Sequence, residues 1–343
     1  MRRTREPQRI KTCFANFGVV DRLAVRSRGS RLWPQQQLPD RPAISFVRGH
    51  DFVDQTCDLH NRSIRAVGGY GRRVYDYCPT PVPNLNSPFY RALNEALSER
   101  GQTIEAICPS DDSVARRVLH DYGAMFIGSD NILPPPVCVF TSEDEVTKFQ
   151  RAAGWAGAKI GDEVIQLQPA AMTGLLKARA AARAEGLDIS PRDGAEGARR
   201  NYADTVRLWN SRFLPALDHW QAAGRLTSED TDRLRALSAW EQVAEALELE
   251  KDGIFFSKDL SKSILYSIAA PGASQHIAML AFDINEFCVV RVRQLLAQNG
   301  WFQTVLSDLP HFTFLGLRED ELPAHGLKCV DVVNQQFWIP DVE

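Results

Sequence analysis

The sequence predicts an α+β fold: a small antiparallel sheet packed by several helices, preceded by an N-terminal α/β accessory region. Three observations carry that prediction. LAFDINEF (280–287) alternates apolar and polar positions with the period of a half-buried strand, and HFTFL (311–315) is rich in β-formers. Between residues 168 and 253 the apolar positions recur at helical spacing, with recognisable caps. A separate set of helix and strand patterns lies before three consecutive prolines at 134–136, a plausible domain boundary.

The bulk properties agree with a globular protein. The chain has 343 residues, 44% hydrophobic and 24% charged. That suits one to three domains with a large core. A net charge of −3 argues against nucleic acid as the main partner. No apolar run reaches the roughly 18 residues that span a bilayer, so no transmembrane segment is expected. The seven cysteines are scattered, without a C-x-x-C pair. Buried free thiols are the simplest reading, with a disulfide among the first five open if the protein is exported.

Taken in order, residues 1–45 are rich in Arg, Gln and Pro and read as poorly ordered. They are basic but lack the apolar segment of a secretory signal, so the sequence alone points to the cytoplasm. Residues 46–137 read as a small accessory unit. AISFVRG suggests a strand, and GGYG a turn too short for a phosphate loop. Ser87, Pro88 and Gly101 mark the N-cap, N1 and end of a helix. SDDSVARRVLHDYG suggests a second helix, followed by a strand over 124–127. Thr141 or Ser142 caps the next helix. Pro169 opens a long one that ends at Gly186, with Leu175, Leu176 and Ala180 expected to face a core. Two further helices are predicted over 198–223 and 229–250, the second starting at Ser228, with Trp209, Trp220 and Trp240 as core anchors. Residues 289–300 form a helix stopped by Asn299 and Gly300. LKCVDVVNQQFWIP adds an edge strand or hairpin, and His325 reads as a surface residue.

One stretch, 273–314, concentrates chemistry. His276 and Asp283 are seven residues apart, and Asp308 and His311 are three apart with Pro310 between them. In one helix His276 and Asp283 would lie about 10 Å apart along the axis. Fully extended they would be roughly 23 Å apart. Neither lets both reach one metal, so the chain must turn, with His276 on a loop and Asp283 in a strand. Pro310 forbids a helix through DLPHF. Two histidines and an aspartate are ligands of the kind a catalytic zinc takes, leaving a fourth position for water. Asp308 would then be the base that takes a proton from that water.

Ser274, His276, Asp283, Trp301, Asp308, Pro310, His311 and Phe312 fall on the pattern S-x-H-x(6)-D, G-W, D-x-P-H-F. This resembles the zinc peptidases that include D-alanyl-D-alanine carboxypeptidases, dipeptidases and related cell-wall endopeptidases. The resemblance covers about 45 residues. It implies one Zn2+ held by His276, Asp283 and His311, with Asp308 as catalytic base. It also implies an active-site arginine, placed at Arg192 in ISPRD, acting in catalysis and binding substrate together with Ser274. The family's glycine three residues after the first histidine is replaced by Met279, a position where positive φ or close backbone approach is expected. On this reading 138–343 is a zinc D,D-peptidase-like domain, and about 198–253 is a helical insertion forming a wall or lid of the cleft. The implied partner is a peptidoglycan stem peptide or a peptide ending in D-Ala-D-Ala, and the accessory region could bind peptidoglycan. A non-catalytic peptidoglycan-binding module on the same fold, or an endopeptidase, are the alternatives. Such a substrate lies largely outside the cytoplasm, which leaves open recycled muropeptides, a misassigned start or an unusual export route.

Overall fold

Ser87 begins the first described helix, α1 (Pro88–Glu99): its side chain accepts the N–H of Tyr90, and Pro88 occupies N1. The computed structural model describes residues 84–332 and 334–343. The expected disorder of 1–45, the 43–49 strand and the GGYG turn lie outside the described residues. α2 (Ile104–Ile107) is a single turn, and α3 (Ser113–Tyr122) is capped by the Asp112 carboxylate. The strand expected over 124–127 is instead a 3-10 helix, Gly123–Ile127, with all five residues buried. An apolar run enclosed on every side carries no alternation, so the pattern cannot separate strand from helix. Here it continues directly from α3 as a tighter turn.

The prolines at 134–136 do not separate two cores. Buried apolar residues on both sides of them share one cluster, from Phe89 in α1 to Leu327 near the C-terminal end. Cys138 donates its backbone N–H to Ile107 at 2.7 Å, and Cys108 and Cys138 form a disulfide across the expected boundary. Both cysteines are buried. The free-thiol reading is therefore corrected for this pair, and the described residues belong to one unit.

After α4 (Glu143–Ala153) the chain forms an antiparallel hairpin, β1 (Ala156–Ile160) and β2 (Glu163–Leu167), turning at Gly161 with φ +64°. α5 (Pro169–Ala184) buries Ala171, Met172, Gly174, Leu175, Ala178, Arg179 and Ala182. Leu176 and Ala180 are exposed, against expectation. The stripe turns because Gly174 sits hard against the sheet: a Cβ there would come within 2.7 Å of the Asn299 carbonyl and 2.8 Å of the Phe314 ring.

Three helices follow: α6 (Tyr202–Ala222), α7 (Ser228–Ala236) and α8 (Ala239–Lys251). The helix expected over 229–250 is thus two. Leu237 is extended, and Ser238 with Glu241 closes a second capping box. Trp209 is fully buried and stacks on Phe213, which stacks on Phe256. Trp220 and Trp240 are partly buried against the same core.

The central sheet has the order β3-β5-β4, all antiparallel: β3 (Ala281–Asp283), then after α9 (Val290–Ala297) β4 (Trp301–Phe302) and β5 (His311–Phe314). Phe282, Trp301 and Phe314 form an aromatic layer, with centroids 6.4 and 5.3 Å apart along the pairs. Burying each such ring contributes about 1.5–3 kcal/mol. β6 (Leu327–Val332) and β7 (Gln335–Pro340) make the C-terminal hairpin. The fold is therefore mixed helix and small antiparallel sheets, and among the described residues no helix is long and apolar enough to cross a membrane.

Candidate metal centre

Strand register creates half of the site. β3 and β5 pair with Asp283 directly opposite His311. Directly opposed residues share a face with Cβ atoms about 4.5–5.5 Å apart, so carboxylate and imidazole meet without a long reach. The other half comes from the loop before β3. Gly272 has φ +78°, and a Cβ there would lie 1.9 Å from the Phe140 carbonyl oxygen. Only glycine fits this approach, which is locked by Phe140 N–H to the Gly272 carbonyl at 3.0 Å. α6 adds a second anchor, since the Gly272 N–H donates to the Thr205 hydroxyl at 3.1 Å. The loop then winds through successive turns, and Met279 N–H donates to the His276 carbonyl at 3.1 Å. Met279 has φ +55°, the left-handed conformation that a glycine adopts freely, and its side chain is fully buried.

His276, Asp283 and His311 are each about 95% buried or more, and their donor atoms converge. His276 Nε2 lies 3.1 Å from His311 Nδ1 and 3.3 Å from Asp283 Oδ2, and His311 Nδ1 lies 3.0 Å from Asp283 Oδ1. A tetrahedron with bonds of about 2.1 Å has edges of about 3.4 Å. The triangle is thus close to one face of a zinc-sized coordination shell, and the N, O, N donor set suits a borderline cation. The group can hold a metal ion. His276 on a loop and Asp283 in a strand match the geometric requirement deduced from their spacing.

The electrostatics separate the two aspartates. Burial alone would raise the Asp283 pKa, but His276 and His311 hold it well below the usual range. Burial, reinforced by the Arg200 charge, pushes His276 down to about 4. Asp283 is therefore the charged member and His276 the neutral one, as metal ligation requires. Asp308 stands at the exposed side of the cluster, in a turn closed by His311 N–H to its carbonyl at 3.2 Å. Although the residue keeps solvent access at the rim, the protein crowded around its carboxyl desolvates it in part and the neighbouring Asp283 charge disfavours ionisation, so its pKa is raised, to about 6.

A cavity of about 150 Å3 opens onto His276 and His311, with Asp308, Ser274 and Arg200 in its walls. Its opposite wall is the segment 265–269, whose approach is pinned by Glu250 of α8 accepting the Ile264 N–H at 2.7 Å. The helices over 198–253 thus contribute both a wall support and an arginine.

Arg192 does not reach this cavity. Its backbone N–H caps the Asp283 carbonyl at 2.9 Å, beside the bridge between Pro191 and Ile284, but its guanidinium turns out over the Phe287 ring, 5.5 Å from the centroid. The guanidinium in the cleft is that of Arg200, 3.3 Å from Asp283 Oδ2 and bonded through Nε to the Glu196 carbonyl at 3.0 Å. ISPRD runs antiparallel to β3 with Arg192 beside Asp283, but the side chain is drawn over Phe287 rather than into the cleft. Arg200, just before the Asn201 cap of α6, carries no sequence signal that separates it from Arg199. Gln275, hidden in the variable position of S-x-H, was also missed. It is 1% exposed and touches His311, Thr313 and the Tyr122 carbonyl.

The fold and site together define an α+β protein with a buried two-histidine, one-aspartate group able to bind metal. Comparison with protein-family models, with curated proteins and with solved structures finds no match for this chain.

Proposed function

We propose that this protein is a zinc-dependent peptidase of the D-alanyl-D-alanine carboxypeptidase or dipeptidase type, acting on peptidoglycan stem peptides or muropeptides. The observation that carries the reading is the convergence of three buried donors, 3.0–3.3 Å apart, on the floor of a cleft that also holds Asp308. A zinc bound there would bring the pKa of a water toward neutrality and polarise an amide carbonyl. The chain's own residues supply the remainder. His276, Asp283 and His311 hold the ion. Asp308 accepts a proton from the attacking water and passes it to the leaving amine. Arg200 takes the part expected of Arg192, binding a free carboxylate or the developing oxyanion with a forked guanidinium. Ser274, 6% exposed at the cavity wall, contacts the substrate backbone. The small cavity favours a small terminal residue.

The Cys108–Cys138 disulfide supports action in an oxidising compartment, where such a substrate resides. One feature favours the non-catalytic alternative, a binding module on the same fold: the buried Met279 in a left-handed conformation within the His276 loop. Turnover decides. Purified zinc-loaded protein should release D-alanine or D-Ala-D-Ala from muropeptides, with the cut located by mass spectrometry. Stoichiometric zinc with muropeptide binding and no cleavage would select the binding module. Products cut inside the stem would select an endopeptidase.

A further inference from the structure

We propose that Gln275 is a positioning residue that fixes the tautomer of His311, leaving Nδ1 bare toward the metal centre. What the centre does rests on the peptidase reading; the positioning itself does not. The Gln275 side-chain Nε2 donates to the Tyr122 carbonyl at 2.9 Å. Tyr122 lies where α3 passes into the 3-10 turn, and a carbonyl has two lone pairs, so it can take a side-chain donor as well. A carbonyl only accepts, so this contact decides which way the amide faces. Gln275 Oε1 is thereby aimed at His311 Nε2, 2.7 Å away, and also takes the Thr313 hydroxyl at 2.6 Å. Thr313, its proton committed there, accepts from the Thr304 hydroxyl at 2.7 Å. Gln275 and Thr304 are 1% exposed and Thr313 0%, so these contacts are made inside the protein.

An amide oxygen cannot donate. His311 Nε2 must therefore carry the ring proton, and a neutral imidazole then has its lone pair on Nδ1. Nδ1 is the atom that faces Asp283 and His276 at 3.0 and 3.1 Å. The other histidine has no counterpart: among the described residues His276 Nδ1 is buried without a hydrogen-bond partner. Orientational control of the centre is thus concentrated on His311. It is delivered from α3, within the region that the sequence set apart as accessory.

The test is histidine-selective 15N NMR of the metal-free full chain at neutral pH, with the His311 signals assigned by their loss in His311→Asn. The proposal expects the Nε2–H form in the parent. In Gln275→Met, which keeps the volume and removes the amide, it expects loss of that preference and zinc affinity weakened by about 10–100-fold, with an unchanged circular dichroism spectrum. An Nδ1–H form in the parent overturns it. So does a folded Gln275→Met that binds zinc within about twofold of the parent. If Gln275→Met fails to fold, the parent spectrum decides. A parent that shows the Nε2–H form yet binds no zinc keeps the positioning claim and removes the peptidase reading instead.

Discussion

Asp283 and Asp308 share one cleft, yet their surroundings push their proton affinities apart: two imidazoles hold Asp283 ionised, while Asp308 is pushed up to about 6. Divergent pairs of this kind mark a structural anion beside a proton acceptor. Asp308→Asn should therefore keep its zinc and lose about 10²- to 10⁴-fold in kcat on a muropeptide substrate, measured by amine release. Met279 gives a prediction of the opposite kind, about stability alone. At most sites alanine is more stable than glycine by about 0.5–1 kcal/mol. At φ +55° a Cβ costs about 1–2 kcal/mol. Both Met279→Ala and Met279→Gly lose a buried side chain and should fall below the parent by about 2–5 kcal/mol. Urea unfolding should nonetheless place the glycine variant about 1 kcal/mol above the alanine variant. The reverse order would mean that the loop adopts another backbone conformation.

At the scale of elements, α8 supports the cleft wall through one buried acid. Glu250 is 3% exposed and accepts the Ile264 N–H. Burial raises its pKa to about 7, against hydrogen bonds from Ser263 and Ile264 and the Arg117 charge. A carboxyl with a raised folded-state pKa contributes stability that is complete below its unfolded value of about 4.5 and is lost as pH rises through about 7. The parent should lose on the order of 3 kcal/mol relative to Glu250→Gln between about pH 4.5 and pH 8, read as the difference between their urea transitions. A difference that stays flat with pH would show that Glu250 is solvated.

The same scale shows what the sequence carried. The helix caps at Ser87 and Ser142 and the stops at Gly101 and Gly186 are local hydrogen-bond and φ requirements, so they could be read from a few residues, whereas the helix expected from 198 starts only after its Asn201 cap. The turn between His276 and Asp283 followed from reach alone. What was not legible depends on contacts distant in sequence. Leu176 was misassigned because the core face of α5 is set by the close approach of Gly174 to Phe314 and Asn299. The 123–127 segment misled because full burial erases periodicity. The hairpin turning at Gly161–Asp162 went unread although a two-residue glycine turn between β-formers signals one. Arg192 and Arg200 differ only in which way their backbone aims them, which no spacing encodes. Gln275 gains its meaning from Tyr122, 153 residues away.

At the scale of the whole molecule, the described residues before the triple proline and those after it are built into one unit. They share a core, a disulfide and the Gln275 contact. The bond between Cys108 and Cys138 closes a loop with a sequence separation of 30, which constrains the unfolded chain by about 3–4 kcal/mol. Cys108→Ser/Cys138→Ser should unfold at correspondingly lower denaturant in a single transition, and two separated transitions would mean two independent units. The central claim is that His276, Asp283 and His311 form one metal centre. It is tested most directly by the metal content of the purified full chain and of His276→Ala, determined by elemental analysis after zinc loading and desalting. The account predicts one zinc per chain in the parent and a large loss in His276→Ala with the fold intact. Equal zinc in the two, or none in the parent, would contradict it.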